Sequence, residues 1–235
     1  MILCKKMSMK FRQFKLLIFC NNYRQLQSAI YFKGGFIMNH NHNQQDQNFL
    51  TKIAFLDSRQ RERLIPPEDL ISQMPIQKTH TLLDVGAGSG FFTIPMAERT
   101  TNKVYAMDPD KRMLSVIEDK AKEKGLSNIE PMQEYIENLS LQSDSIDFVM
   151  ASLILHEVKS LTIALTKIFD VLNTGGHLLC LEYEKDDLII EGPPMSIRIR
   201  SEELEKTLSK IGFGIVKNTK INDAIYTVLA VKNEK

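Results

Sequence analysis

The sequence predicts an α/β fold built on a doubly wound sheet that is mostly parallel and has an antiparallel last strand. Short apolar runs alternate with segments of helical period five times along the chain. This alternation is typical of parallel strands joined by helices on both faces of a sheet. A turn with three glycines follows the first run. Two β-rich runs, 213–217 and 225–231, close the chain as a hairpin, so the final strand must run antiparallel to its partner.

Local signals set the bounds of the predicted elements. Asp57 or Ser58 can cap a first short helix, and Pro67 is well placed in the first turn of a second. Pro109 opens a strongly periodic helix that Gly125 ends, and Ser201 is a predicted cap. The predicted helices are 58–64, 67–74, 91–99, 109–124, 161–172 and 201–212. The predicted strands are 81–85, 104–107, 128–132, 146–151, 177–183, 213–217 and 225–231.

Residues 1–49 are predicted to be an N-terminal extension, and residues 50–235 one domain. Residues 1–37 carry seven Lys and Arg and no acid, whereas 39–48 are polar and predicted to be disordered. Met38 is the expected true start, with a transit-like peptide or a basic membrane-surface helix as the alternative. We expect the helices within residues 50–74 to form a lid over the domain.

Composition excludes several classes of protein. Residues 38–235 hold 23 basic and 29 acidic residues, which argues against a nucleic-acid-binding domain. The apolar run from Phe14 to Cys20 is too short for a stable membrane span. Three cysteines at no metal-ligand spacing predict neither a disulfide framework nor a metal site, and favour a reducing cytoplasm. The oligomeric state is not indicated.

The glycine turn predicts a cofactor site. Gly86, Gly88 and Gly90 allow positive φ and close approach of a ligand to the backbone. A dinucleotide site requires a third glycine where this chain has Phe91. Asp84, just before the turn, would repel a pyrophosphate but suits a cationic amino-acid end. S-adenosylmethionine has that ammonium group and no phosphate. The alternative is an ordinary tight turn between a strand and a helix.

A second acid supports an adenosine cofactor. Asp108 ends the predicted second strand, 22 residues after Gly86. A carboxylate at this place can accept hydrogen bonds from both hydroxyls of a ribose, and its charge disfavours a 2′-phosphate.

These segments resemble the class I S-adenosylmethionine-dependent methyltransferases, in the broad group that includes the ubiquinone/menaquinone-biosynthesis C-methyltransferases. The resemblance covers residues 50–235 and lies in 82–92, 105–110, 145–151 and the Gly175-Gly176 pair. It implies a Rossmann-like, seven-stranded sheet and S-adenosyl-L-methionine as cofactor. The cofactor-binding residues that it implies are Asp84, Gly86, Ala87, Gly88, Gly90, Phe91, Asp108, Pro109, Tyr135, Ile136 and Ala151. Many relatives have an acid near Tyr135; here Glu134 and Glu137 flank it.

Catalysis by in-line methyl transfer requires alignment of the acceptor, and a base only where the nucleophile carries a proton. His156 follows the fourth strand and is the predicted base, with Glu157 beside it; the alternative is that His156 shapes its loop. Glu182 and Tyr183 end the fifth strand and either orient substrate or form the rim. Arg198 binds an anionic substrate or forms a surface ion pair.

The sequence therefore predicts a methyltransferase acting on a small molecule. A nonenzymatic binding or regulatory protein of the same fold, and a nicotinamide-dependent oxidoreductase, are the alternatives. Phe91 and Asp84 disfavour the oxidoreductase.

Overall fold

The computed structural model describes residues 43–188 and 192–234. Residues 1–42 lie outside this range, so the expectations for the basic segment and for Met38 lie outside the described residues. The first described helix begins at Asn43, inside the segment predicted to be disordered. Residues 43–56 hold only two Asp or Lys and no Pro or Gly, so the polar composition there is compatible with a helix. Residues 48–235 form one compact unit.

Seven strands and seven α-helices make up the described residues. The helices are α1 Asn43–Leu56, α2 Arg59–Leu64, α3 Pro67–Ser72, α4 Thr93–Arg99, α5 Lys111–Glu123, α6 Leu161–Val171 and α7 Ser201–Ile211. A 3₁₀ turn spans Ile136–Asn138. The strands are β1 Leu82–Val85, β2 Val104–Met107, β3 Ile129–Met132, β4 Ile146–Ser152, β5 Leu172–Tyr183, β6 Phe213–Lys220 and β7 Ile225–Lys232.

The strands form one sheet in the order β3-β2-β1-β4-β5-β7-β6. Pairs from β3 to β5 are parallel, whereas β7 is antiparallel to both β5 and β6. The predicted fold class and the antiparallel last strand are therefore confirmed. This order places the carboxyl ends of β1, β2, β4 and β5 along one edge, where ligands bind in open α/β sheets.

Alternate residues of the central strands face two apolar layers, as the pleat of a strand requires. On one face Val149 and Cys180 pack in a cluster with α6 and α7 residues such as Leu165 and Leu204. On the other face Phe148 packs with residues of α3 and α4. Helices thus cover both faces of the sheet.

Several element boundaries differ from prediction, and two of the differences have a clear local cause. Strand β5 begins at Leu172 rather than His177, because Leu172 already pairs with Ile146 before the strand bulges near Gly175, where φ is +79°. Ser201 is the first residue of α7 and not its cap; Arg200 takes the cap position without a side-chain hydrogen bond.

None of the helices in the described ranges is long and apolar enough to span a membrane.

Candidate cofactor and active site

The glycine turn after β1 has the backbone that the sequence predicts. Gly86, Gly88 and Gly90 all lie at positive φ, at +69°, +54° and +83°. A Cβ at Gly86 would lie 2.5 Å from Cγ1 of Ile154, so no side chain fits there without a shift. The turn extends to Phe92, and α4 begins at Thr93, two residues later than predicted. The result is a cradle of bare backbone at the end of the first strand.

The end of β2 is tied to this turn. The N–H groups of Gly86 and Ala87 donate to the carbonyl of Met107, at 2.8 and 2.9 Å. Asp108, which is 8% exposed, accepts from the N–H of Gly88 at 2.9 Å and from that of Asp110 at 2.8 Å. Each carboxylate oxygen keeps a further lone pair. The structure therefore brings the predicted ribose-binding acid against the glycine turn, with acceptor capacity for two hydroxyl groups.

Asp84 is buried at 2% exposure and accepts a hydrogen bond of 2.6 Å from the hydroxyl of Thr93. Burial raises the pKa of Asp84 to about 6, and Asp108 adds to this effect. The Thr93 hydroxyl and the charge of Arg61 oppose it. The buried acid is thus partly compensated, as buried charges usually are.

Arg61 on α2 is a site residue that the sequence interpretation missed. Its guanidinium lies 4.3 Å from the ring centroid of Phe91 and donates to the carbonyl of Leu56 at 3.1 Å. Burial lowers the pKa of Arg61, while Asp84 is the strongest of the groups that raise it. An α-amino acid carries one positive and one negative group, so the buried carboxylate of Asp84 and the partly buried guanidinium of Arg61 match both.

Ser152, the last residue of β4, offers a second test of whether a ligand fits. It is 8% exposed, and its Oγ is the buried side-chain atom without a hydrogen-bond partner among the residues that the structure describes. An unsatisfied buried hydroxyl costs about 1–3 kcal/mol. The residue pairs with Leu181 at the carboxyl edge of the sheet. A polar ligand at this edge would satisfy it, so the donor set fits a polar cofactor.

The helices predicted as a lid contact the glycine turn. Asp57, between α1 and α2, accepts a hydrogen bond of 2.7 Å from the Ser89 hydroxyl and pairs with Lys120 at 2.7 Å. The Lys120 ammonium also donates to the Ser89 carbonyl at 2.7 Å. The Leu56 side chain reaches within 3.3 Å of where a Cβ on Gly88 would stand. We name Asp57, Ser89 and Lys120 the latch.

We predict that Asp57→Asn loosens the N-terminal helices. Asparagine keeps an acceptor for Ser89 but loses the charge that pairs with Lys120. The pair is about one-third exposed, so its loss costs on the order of 1 kcal/mol. Amide hydrogen exchange within residues 50–64 should be about fivefold faster. Glu62→Gln, an exposed change on α2, is the matched control; unchanged exchange in Asp57→Asn would contradict the latch.

The residues predicted to meet an adenine lie beyond β2 and β3. Pro109 is exposed, and its carbonyl accepts from the Gln133 amide at 3.3 Å. Tyr135 is 62% exposed, so its ring is free to cover a ligand. Ile136 is buried in the core and begins the 3₁₀ turn, where first-turn N–H groups have no partner within the helix.

Both flanking acids serve the local structure. Glu134 accepts from the N–H and the hydroxyl of Ser140, at 3.1 and 2.6 Å. Glu137 accepts from the N–H of Lys159 at 2.9 Å. The adenine contacts therefore stay predictions for Tyr135 and for the Ile136 backbone.

His156 and Glu182 come together at the carboxyl edge. The Nδ1 atom of His156 lies 2.6 Å from Oε2 of Glu182, and Oε1 of Glu182 accepts from the N–H of Leu155 at 2.8 Å. Glu182 is fully buried, so the expectation that it is a rim residue is wrong. Glu157 is largely exposed, with Oε1 3.9 Å from Nε2 of His156. Ala151 is fully buried between Val85 and Cys180, so only its backbone is near the edge.

Arg198 is buried rather than exposed at the surface, and its role toward an anionic substrate stays a prediction. It is 4% exposed, because its Nε donates to the Pro193 carbonyl at 2.8 Å and its guanidinium donates to the Glu184 carbonyl at 3.3 Å. The guanidinium also lies 5.6 Å from the ring centroid of Tyr183. Gly192 packs on that same ring, where a Cβ would approach to 2.6 Å. Arg198 and Tyr183 thus shape the loop between β5 and α7.

The fold and the site together define a class: an α/β protein with an adenosine-type cofactor cradle at the carboxyl edge of its sheet. Comparison with known proteins shows what the chain is similar to. Residues 83–180, less than half of the chain, match the family model described as a methyltransferase domain. The predicted resemblance to class I S-adenosylmethionine-dependent methyltransferases is thereby confirmed.

Curated relatives carry matching names. The chain is 32% identical over 124 residues to a demethylmenaquinone methyltransferase of Geobacillus sp. (strain WCH70), covering 52% of this chain and 53% of that protein. It is 29% identical over 117 residues to a ubiquinone/menaquinone biosynthesis C-methyltransferase of Rhizobium meliloti (strain 1021), covering 48% and 45%. The chain thus spans about half the length of the curated relatives it matches.

Solved structures share the fold. A SAM-dependent methyltransferase from Aquifex aeolicus superposes with a TM-score of 0.71 at 24% identity, covering 77% of this chain and 97% of that one. The [4+2]-cyclase SpnF superposes with a TM-score of 0.68 at 18% identity, covering 76% and 83%. Because a protein named as a cyclase has the same fold, the activity must be argued from the site.

Proposed function

We propose that this protein binds S-adenosyl-L-methionine and transfers its methyl group in line to a small molecule. The observation that carries the proposal is the buried Asp84, which interacts electrostatically with the partly buried Arg61, at the start of a glycine turn that Asp108 closes. These residues offer partners for an ammonium, a carboxylate and a ribose. The acid at Asp84 would repel a pyrophosphate at the same place. It therefore favours this cofactor over a nicotinamide dinucleotide.

Residues of the chain have separate tasks in this proposal. Asp108 would accept hydrogen bonds from the ribose hydroxyls, and Asp84 with Arg61 would hold the amino-acid end. Tyr135 and the Ile136 N–H would meet the adenine. When bound, S-adenosylmethionine supplies a methyl group already activated on a sulfonium sulfur. The chain must then align the acceptor and exclude water, and the latched helices are placed to do the second.

A small-molecule acceptor is supported by the names of the curated relatives, which are quinone-biosynthesis methyltransferases. The sequence and the fold leave the acceptor and the methylated atom open at this level. The absence of nucleic-acid partners and the cytoplasmic location stay predictions.

Isothermal titration tests the proposal. The full chain should bind one molecule of S-adenosylmethionine or of its demethylated product, S-adenosylhomocysteine. Titration with reduced nicotinamide dinucleotide should give no heat of binding. Binding of neither adenosyl compound would refute the proposal. Binding without methyl transfer to any component of a cell extract would favour the nonenzymatic alternative, and binding of the nicotinamide cofactor alone would favour the oxidoreductase.

A further inference from the structure

We propose that Glu182 and His156 form a general-base pair that removes the proton of a hydroxyl group on the acceptor. This inference rests on the proposed methyl transfer, because it names the substrate class for the same site. His156 would be the catalytic residue, and Glu182 the positioning residue that acts through it.

The Glu182 carboxylate is fixed at both oxygens. It is fully buried, and one oxygen accepts from the backbone N–H of Leu155 while the other meets Nδ1 of His156 at 2.6 Å. A carboxylate can only accept, so Nδ1 must donate its hydrogen. In a neutral imidazole this leaves the lone pair on Nε2. The pair therefore sets both the orientation of the ring and the nitrogen that can take a proton.

The Nε2 atom is left available by the surrounding structure. Within residues 43–188 and 192–234, no hydrogen-bond partner of Nε2 is present, although the side chain is only 6% exposed. In those ranges, Nε2 is also not one of the side-chain atoms that are both inaccessible to solvent and without a hydrogen-bond partner. Nε2 therefore keeps some exposure to solvent, so a proton of an acceptor can reach it.

Three charged groups face this ring. Glu182 lies on β5, Glu157 on the same loop as His156, and Arg198 on the loop that leads to α7. Burial lowers the pKa of His156, but the hydrogen bond and charge of Glu182, with help from Glu157, outweigh burial and the opposing charge of Arg198. The pKa of His156 is raised overall. A raised pKa makes the neutral ring a stronger base.

The backbone before His156 is held in an unfavourable conformation. Leu153 lies at φ +54°, in the left-handed region that costs a non-glycine residue roughly 1–3 kcal/mol. The N–H of Leu153 donates to the carbonyl of Leu181 at 2.8 Å, next to Glu182. Strain of this kind is concentrated at functional sites, and here it turns the chain so that Leu155 and His156 both reach Glu182.

In the proposed step, the hydroxyl oxygen of the acceptor, or a carbon conjugated with it, forms the bond to the methyl carbon. The carbon–sulfur bond breaks with its electron pair going to sulfur. The hydroxyl proton passes to Nε2 of His156, and the resulting imidazolium is stabilised by the Glu182 carboxylate. The cation of the sulfonium donor is thus replaced by the cation of the histidine, which later loses its proton to water.

A hydroxyl is the acceptor group that needs this base most. A phenolic hydroxyl has a pKa of roughly 10 and holds its proton at neutral pH. A thiol is already a few per cent thiolate at pH 7 and is intrinsically nucleophilic. A buried base pair beside the methyl-transfer edge would be superfluous for a thiol.

The first test needs no turnover. Nitrogen NMR of the histidine rings should show His156 protonated on Nδ1 and bare on Nε2 at high pH, with its signals assigned by their loss in His156→Gln. In Glu182→Gln, the new amide oxygen can still accept from Leu155, while its NH₂ group donates to Nδ1 and moves the ring proton to Nε2. The histidine pKa should fall in that variant. An unchanged tautomer and pKa would overturn the pairing.

The second test uses methyl-labelled S-adenosylmethionine and a small-molecule extract of bacterial cells, followed by mass spectrometry. The labelled methyl should appear on a hydroxyl oxygen or on a carbon conjugated with a hydroxyl group. We expect Glu182→Gln and His156→Gln to lower the rate at least 100-fold while S-adenosylhomocysteine binding changes less than about threefold. The wild-type rate should fall as His156 is protonated at low pH. Glu202→Gln, an exposed change on α7, is the matched control.

Each outcome decides a separate claim. A methyl group on an acceptor without a hydroxyl group, equal rates in Glu182→Gln and wild type, or cofactor binding with no product would overturn the base pair. Should Glu182→Gln fail to fold, His156→Gln decides alone through rate and pH profile. A wild-type chain that binds neither adenosyl compound would instead refute the proposed function.

Discussion

Replacing Asp84 by asparagine is expected to stabilise the protein without cofactor at pH 7 and to weaken cofactor binding at least tenfold. The carboxyl is buried, and its pKa is about 6 against an ordinary value of 3.8. This difference of about two pKa units corresponds to roughly 3 kcal/mol of destabilisation of the folded state when the carboxyl is ionised. Because Arg61 loses its compensating charge in the variant, we expect a gain of about 1–3 kcal/mol.

The difference in the free energy of unfolding between Asp84→Asn and wild type should depend on pH. Below about pH 4 the carboxyl is protonated in both folded and unfolded states, so variant and wild type should have similar free energies of unfolding. Between about pH 4 and 6 the unfolded state ionises first, and wild type loses stability relative to the variant. Above pH 6 the difference is constant. Urea unfolding at several pH values measures it.

Thr93→Val is the matched control for Asp84→Asn. It removes the hydroxyl that donates to the Asp84 carboxylate at 2.6 Å and keeps the acid. The pKa of Asp84 should then rise further and stability at pH 7 should fall, opposite in sign to Asp84→Asn. If Asp84→Asn also destabilises the chain at pH 7, the acid is a structural anchor rather than a charge kept for a ligand.

Asp108→Ala is expected to weaken S-adenosylhomocysteine binding by more than tenfold. The variant loses the acceptor for the ribose hydroxyls, and it also frees the N–H groups of Gly88 and Asp110 that Asp108 binds. Two hydrogen bonds to a charged group are worth roughly 3 kcal/mol or more together. Isothermal titration of wild type and variant measures the change.

Asp110→Asn separates the ribose contact from general charge at this edge. Asp110 caps α5 by accepting from the Arg112 N–H at 3.0 Å, and asparagine is an equally good cap. We expect its affinity for S-adenosylhomocysteine to stay within about threefold of wild type. Equal losses in the Asp108 and Asp110 variants would mean that the carboxylates act only through overall charge.

The fold was predictable because its signals are local. A short apolar run that ends in an acid predicted strand β2 and the Asp108 that follows it. Three closely spaced glycines predicted the turn, and all three lie at positive φ. Strand β5 has 12 residues and was predicted too short, because the two glycines inside it were interpreted as the turn that precedes the strand.

The missed site residues depend on long-range packing. Arg61 lies in the segment Arg59–Leu64, where three arginines alternate with polar residues, and nothing in the order of residues tells which one interacts with Asp84. The Glu182–His156 pair joins residues 26 positions apart on adjacent strand ends, so each was predicted alone with a different role. Ser152 carries no sequence signal, since its importance lies in a missing partner.

The central claim is that the glycine turn and Asp108 hold an adenosyl cofactor, and amide NMR tests it most directly. Titration of the labelled full chain with S-adenosylhomocysteine should shift the signals of Gly86, Gly88 and Gly90 together with Asp108, with one saturation curve. Shifts confined to other parts of the chain, or none at saturating ligand, would contradict the account.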